Sequence, residues 1–222
     1  MRLPPRLLAI TRGTLDAASF ALEKERTVRA VERAARGGLL GVLVREPGLA
    51  DRQLIELCER IRDALEAEHA GDRWLAVHDR VHLAAHLEAD AVHLGFRSLD
   101  CAQARCVLDR AERAETAIGL STHAGDEPSQ WERADYLFFG PVRPTPSKQG
   151  LFEPTGFDAL AAVAERARPR PVLGLGGLEA EHATDALAAG AHGVAALRGM
   201  LLAADPEQAA RLYLRAVEGG LR

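Results

Sequence analysis

The chain has 222 residues, 47% of them hydrophobic and 27% charged, with a net charge of −4 at pH 7. This balance excludes a disordered or collagen-like chain, and the mild acidity argues against nucleic acid or an anionic membrane as the main partner. No apolar run reaches the ~18 residues of a membrane span, the first residues are too weakly apolar for a signal peptide, and Cys58, Cys101 and Cys106 are odd in number and too sparse for a disulfide framework.

The expectation is therefore a cytoplasmic protein whose cysteines are small buried hydrophobes on helices. In chain order, eight short apolar runs recur, at 6–11, 41–46, 74–79, 91–95, 117–122, 136–142, 171–177 and 193–198. They lack strict alternation, as strands buried on both faces of a parallel sheet do. Between them lie Ala- and Leu-rich segments with charges at helical spacing, among them 27–38, 51–69 and 156–168. The last, 206–219, opens on Pro206 and closes towards Gly219 and Gly220, as helix start and stop signals should. This alternation predicts an α/β fold, a (β/α)8 TIM barrel spanning 1–222 as one domain. The alternative, a doubly wound open sheet, needs a reversal of strand order and usually fewer strands.

Barrels place their chemistry where strands end, at the C-terminal face. Arg45 ends the second run, where a guanidinium holds a carboxylate or phosphate, or else pairs with Glu46. Asp79 follows the third run as a metal ligand or a helix N-cap, and taken alone the cap is preferred. His82 and His86 share a helix face without a third metal ligand and read as an outer face. Ser121 and His123 end the fifth run; His123 serves as acid or base and Ser121 orients a ligand, or the pair caps a following helix, and both readings stay open. The loop 140–150 carries Thr145, Ser147 and Lys148, suited to phosphate oxygens. The strongest signal is a phosphate site built from Gly176 and Gly177 after the seventh run and from Leu197 and Arg198 after the eighth, preferred over a plain tight turn.

Several long motifs in this order resemble the thiamine phosphate synthase/TenI family over nearly the whole chain: GVLVRE, HDRVHLAAHLEADAVHLG, IGLSTH, ADYLFFGPVRPTPSKQG and PVLGLGGL with AGAHGVAALRGM. The family's fold is the same barrel. Its synthases join a pyrimidine diphosphate to a thiazole phosphate with Mg²⁺; its TenI-type members isomerise a thiazole carboxylate phosphate without metal. The resemblance assigns Arg45 to the diphosphate, Asp79 to the metal, Ser121 to the pyrimidine, Thr145, Ser147 and Lys148 to the sixth-strand loop, and Gly177 with Leu197 and Arg198 to the thiazole phosphate.

The departures fall together. Leu43 and Pro47 replace the family's glutamine and lysine, His78 replaces its asparagine, and Ser98 replaces its second metal-binding aspartate, with Asp100 two positions on. Phe96 stands in the same altered loop, placed to fill the old pyrimidine pocket or to stack on another ring. The expected activity is a TenI-like thiazole tautomerase needing no cofactor, with His123 as acid/base, Arg45 and Ser121 beside it, and His78 counted among the substrate-binding positions. The alternatives are a divergent Mg²⁺-dependent synthase, with Asp79 on the metal, and a non-catalytic thiazole- or thiamine-phosphate-binding protein. The expected partner is a small phosphorylated thiazole, with no nucleic acid, no membrane and a possible homo-oligomer.

Overall fold

A computed structural model describes residues 1–145 and 153–219. Its eight parallel strands close into a barrel in sequence order, which removes the open-sheet alternative. The strands are β1 (Leu7–Ile10), β2 (Gly41–Val44), β3 (Trp74–His78), β4 (Ala91–Leu94), β5 (Ala117–Thr122), β6 (Tyr136–Phe139), β7 (Val172–Leu175) and β8 (Gly193–Ala196). Around them lie α1 (Phe20–Arg36), α2 (Asp51–Glu68), α3 (Val81–His86), α4 (Cys101–Arg110), α5 (Gly156–Ala167), α6 (Ala180–Ala188), α7 (Arg198–Leu201) and α8 (Pro206–Gly219). No helix among the described residues is long and apolar enough to cross a membrane.

The lateral register explains how one sequence period fills two cores. Leu8 faces Gly41, Gly41 faces Trp74, and on the far side Ala195 faces Leu8. Every second residue of each strand therefore points to the axis, in phase with its neighbours. Leu8, Leu43, Trp74, Tyr136, Phe138 and Leu173 belong to the inner cluster. The alternate residues, such as Val42, Val77, Val92, Leu137 and Val194, pack with the helices in the outer cluster. Both faces are apolar, so the runs show little alternation in the sequence.

Helix boundaries follow local chemistry. α1 begins well before the predicted 27–38 because an Asp16–Ser19 turn nucleates it; the Ser19 amide donates to Asp16 Oδ1 at 2.8 Å. Its buried Val28, Val31, Ala34 and Ala35 keep helical spacing. Asp100 and Gln103 cap α4 reciprocally: the Gln103 amide donates to Asp100 Oδ1 at 2.7 Å and the Asp100 amide to Gln103 Oε1 at 3.1 Å. Asp205 Oδ1 accepts the Glu207 and Gln208 amides at the start of α8. Cys58 and Cys101 are buried as expected, but Cys106 lies exposed on the outer side of α4. No α-helix joins β5 to β6; a 3-10 turn over Pro128–Trp131 replaces it.

One contact inside the barrel is unusually close. Gly119 on β5 sits laterally between His93 of β4 and Tyr136 of β6. A Cβ there would lie 2.1 Å from Tyr136 Cζ, so the missing side chain makes the space the phenol ring occupies. Gly119→Ala is expected to lower unfolding stability by about 1–3 kcal/mol through overpacking, seen as a reduced midpoint in urea denaturation; an unchanged midpoint would show that the ring moves aside without cost.

Candidate active site

The C-terminal rim is assembled from strand ends, beginning where β1 meets β2. Thr11 is fully buried, and its Oγ1 accepts the Arg45 amide at 2.8 Å. Glu46 is buried too, and its carboxylate accepts the Gly13 amide at 2.8 Å and the Leu15 amide at 2.9 Å. The alternative pairing of Arg45 with Glu46 is therefore not made. The carboxylate is committed beneath the β1–α1 loop, while the Arg45 guanidinium crosses above Gly13 on the exposed side. Its field reaches the imidazoles of His78 and His93.

Asp79 follows β3 with φ 70° and is exposed. It does not cap α3, whose N-cap position is Arg80. The cap reading preferred from sequence fails because the left-handed turn at Asp79 comes one residue too early. Its carboxylate makes no hydrogen bond or ion pair with another described residue. His82 is exposed and bonds Asp51 at 3.2 Å, and His86 is exposed on the same helix, as expected for an outer face.

The altered loop after β4 has a definite structure. Ser98 Oγ accepts the Gly95 amide at 2.9 Å, and Asp100 serves the cap of α4. Asp100 Oδ1 is taken up by that cap. No group of three or more His, Cys, Asp or Glu side chains among the described residues is arranged to hold a metal ion. Position 98, where the resemblance implies a second carboxylate for the Mg²⁺ of a synthase, thus holds a serine whose oxygen is engaged by its own turn. Phe96 is 79% exposed with the Arg97 guanidinium over its ring, so it fills no pocket.

At the end of β5, Asp126 is the hub. Its Oδ2 accepts the His123 amide at 2.8 Å and the Thr122 hydroxyl at 3.0 Å, and it lies 3.6 Å from His123 Nδ1. Thr122 in turn accepts the buried Trp131 indole N–H at 2.9 Å. His123 is thus seated by a carboxylate rather than capping a helix, and the capping alternative for Ser121 and His123 is overturned because the short 3-10 helix after β5 has Glu127 at its N-cap position. Ser121 turns inward and bonds His93 Nε2 at 3.0 Å.

The β6 and β7 loops lean on each other. The Val142 and Arg143 amides donate to the Leu175 and Gly176 carbonyls at 2.9 and 3.0 Å. Gly176 and Gly177 have φ 93° and 62°, and a Cβ on Gly177 would lie 2.4 Å from the Pro144 carbonyl oxygen. These glycines meet the neighbouring loop, so loop packing alone demands them, beside any service to a phosphate. Thr145 is half-buried beyond them, while Ser147 and Lys148 lie outside the described residues. Leu197 packs against the inner core, and Arg198 is exposed at the start of α7.

Sequence reasoning missed a polar group inside the barrel. His93 is fully buried on β4, against Phe138 with ring centroids 4.1 Å apart, and its Nδ1 lies 3.3 Å from the Tyr136 hydroxyl. The available signal was phase: Ala91 and His93 occupy the inward face of a four-residue strand. Burial, with help from His78 and Arg45, pushes the His93 imidazole well below the ordinary histidine range. Burial, then Arg45, lowers His78 to about 4, opposed by Asp79.

A closed barrel with polar groups gathered at one rim, over an apolar interior, has the architecture of a (β/α)8 enzyme. The sequence profile described as thiamine monophosphate synthase matches residues 8–200. Thiamine-phosphate synthase of Moorella thermoacetica is 35% identical over 187 residues, 83% of this chain and 85% of that one. The enzyme of that name from Chloroflexus aurantiacus is 36% identical over 199 residues, 88% of each chain. The solved thiamine phosphate pyrophosphorylase of Pyrococcus furiosus superposes with a TM-score of 0.79 at 25% identity, over 98% of this chain and 97% of that one. The chain belongs to the thiamine-phosphate synthase family.

His78 gives a pH prediction. An unfolded imidazole titrates near 6.5, whereas folded His78 stays neutral down to about 4. Between those values the unfolded state binds more protons, so stability falls as the pH drops through the window. Comparing urea unfolding at pH 6.5 and 4, His78→Asn should show a smaller loss than the parent, by up to about 3 kcal/mol. Equal losses would mean that His78 protonates in place.

Proposed function

We propose that this member of the family is an isomerase of phosphorylated thiazole carboxylates. His123 moves the proton, Arg45 holds the carboxylate, and the loops after β7 and β8, with Thr145, Ser147 and Lys148, hold the phosphate. The observation that carries this reading is the commitment of Ser98 to the Gly95 turn and of Asp100 to the α4 cap. A diphosphate leaving group needs its charge neutralised by metal and lysine, and here Leu43, Pro47, His78 and Ser98 occupy the positions where the family resemblance places groups for the pyrimidine diphosphate and its metal. An isomerisation needs only an anchored anion and one group that takes a proton and returns one, with no net change in composition. Asp126 supports His123 in that task by fixing its main chain and standing behind Nδ1.

With a phosphorylated thiazole carboxylate as substrate, the purified protein should interconvert isomers at a rate that a chelator leaves unchanged. His123→Ala should slow it by roughly a hundred- to ten-thousand-fold. Formation of thiamine phosphate from the pyrimidine diphosphate and thiazole phosphate, at the pace of a working synthase, would sink the reading.

A second reading is favoured by the relatives, which are thiamine-phosphate synthases by name: a divergent synthase that retains Asp79 as a metal ligand. It requires strict Mg²⁺ dependence and loss of condensation in Asp79→Ala. Failure of the pyrimidine diphosphate to bind in the presence of Mg²⁺ removes it.

A further inference from the structure

We propose that Tyr136, His93 and Ser121 form a hydrogen-bond relay of fixed polarity, in which Tyr136 donates to His93 Nδ1, His93 donates through Nε2 to Ser121, and the Ser121 hydroxyl is left as a donor towards a ligand acceptor at the barrel mouth. The acceptor class is a carboxylate oxygen or an aromatic ring nitrogen. Its identity as the carboxylate of a phosphorylated thiazole rests on the function proposed above, whereas the polarity of the relay does not.

The direction follows from counting donors and acceptors. Tyr136 is wholly buried, and its hydroxyl has one hydrogen-bond partner among the described residues, His93 Nδ1 at 3.3 Å. If the hydroxyl accepted from Nδ1–H, its own proton would be buried without an acceptor, a cost the reverse arrangement avoids. Tyr136 therefore donates. A neutral imidazole carries one N–H, so His93 holds its proton on Nε2. That N–H meets Ser121 Oγ at 3.0 Å. With a lone pair of Ser121 occupied, the hydroxyl proton has no acceptor among the described residues. Ser121 lies two residues nearer the rim than Gly119, on the same inward face and only half-buried, so a ligand there is the group it can serve.

Burial keeps the two inner groups in the required states. The His93 imidazole is held well below the ordinary range and the Tyr136 phenol above it. The other titratable ring facing His93 is His78, 6.4 Å away between centroids, and it is itself neutral above about pH 4. Tyr136 and His93 are positioning residues that act through Ser121. Gly119 makes their meeting possible by leaving the space between them empty of side chain.

Nitrogen-15 spectroscopy of the histidine rings tests the polarity in the unliganded protein, with His93 assigned by comparison with His93→Gln. The expected spectrum shows His93 protonated at Nε2 and bare at Nδ1, unchanged between about pH 8 and 5.5. Protonation at Nδ1, or titration near the ordinary histidine value, overturns the proposal. Tyr136→Phe, which keeps the ring, removes the donor to Nδ1 and should shift the Nδ1 resonance towards that of a bare nitrogen without a hydrogen bond; an unmoved Nδ1 resonance also overturns it. Ser121→Ala and Tyr136→Phe should each weaken binding of a phosphorylated thiazole carrying a ring carboxylate by about tenfold and leave inorganic phosphate binding unaltered. Undiminished carboxylate binding in both variants refutes the donor role of Ser121. If the parent protein binds no phosphorylated thiazole while the spectrum is as expected, the functional reading fails and the relay stands.

Discussion

The register in which β8 returns to β1 governs what the open end of the barrel can present. With Ala195 opposite Leu8, and each successive pair in step, the inward rows of all eight strands coincide. His78, His93, Gly119 and Tyr136 form one such lateral row across β3 to β6. A slip of one residue on any of these strands would send its polar group out among the helices and bring an aliphatic one in. Closure thus places the buried imidazole and phenol against one another, with the half-buried Ser121 hydroxyl above them towards the rim.

Two kinds of polar group result, with different duties. Glu46 and Thr11 spend their hydrogen bonds on backbone amides across the β1–β2 rim, Asp126 and Asp100 on amides of their own loops, and together they give the rim its shape. Arg45, Asp79 and Arg198 are exposed at the same rim. The overall negative charge of the chain conceals this division. Neutralisation of an anion is a property of the few side chains left uncommitted at one face, and the acidic residues nearby are largely tied to amide nitrogens.

The barrel was legible because its signal is repeated: eight apolar runs separated by amphipathic segments leave little else to build. α8 and α2 matched their predicted spans closely, since Pro206 and Asp51 mark their starts locally. α1 was foreshortened because the Asp16–Ser19 turn carries no hydrophobic period. The rim positions of Arg45, Ser121 and His123 could be read from strand ends. Whether Glu46 would pair with Arg45 could not, because its partners are amides 31 and 33 residues earlier in the chain. Asp79 misled for a related reason: an acidic residue before a helix looks like a cap whatever its φ. His93 was hidden in plain sequence, since an imidazole in a short apolar run declares its face only once its neighbours are known.

The fit of Tyr136 into the space left by Gly119 bears on how such a site can diverge over time. The two positions belong to adjacent strands, and the phenol ring occupies the volume a Cβ at 119 would claim. A chain that kept the tyrosine would acquire a side chain at 119 only at a cost in packing. Shrinking the tyrosine first would leave His93 without the donor that orients it. Drift here passes through a poorly packed or electrically unset intermediate on either route. By contrast, Phe96 and Arg97, stacked in the open, can be exchanged one at a time. New ligand preferences in this lineage are therefore expected to arise first in the exposed loop after β4, over an interior that changes late or not at all.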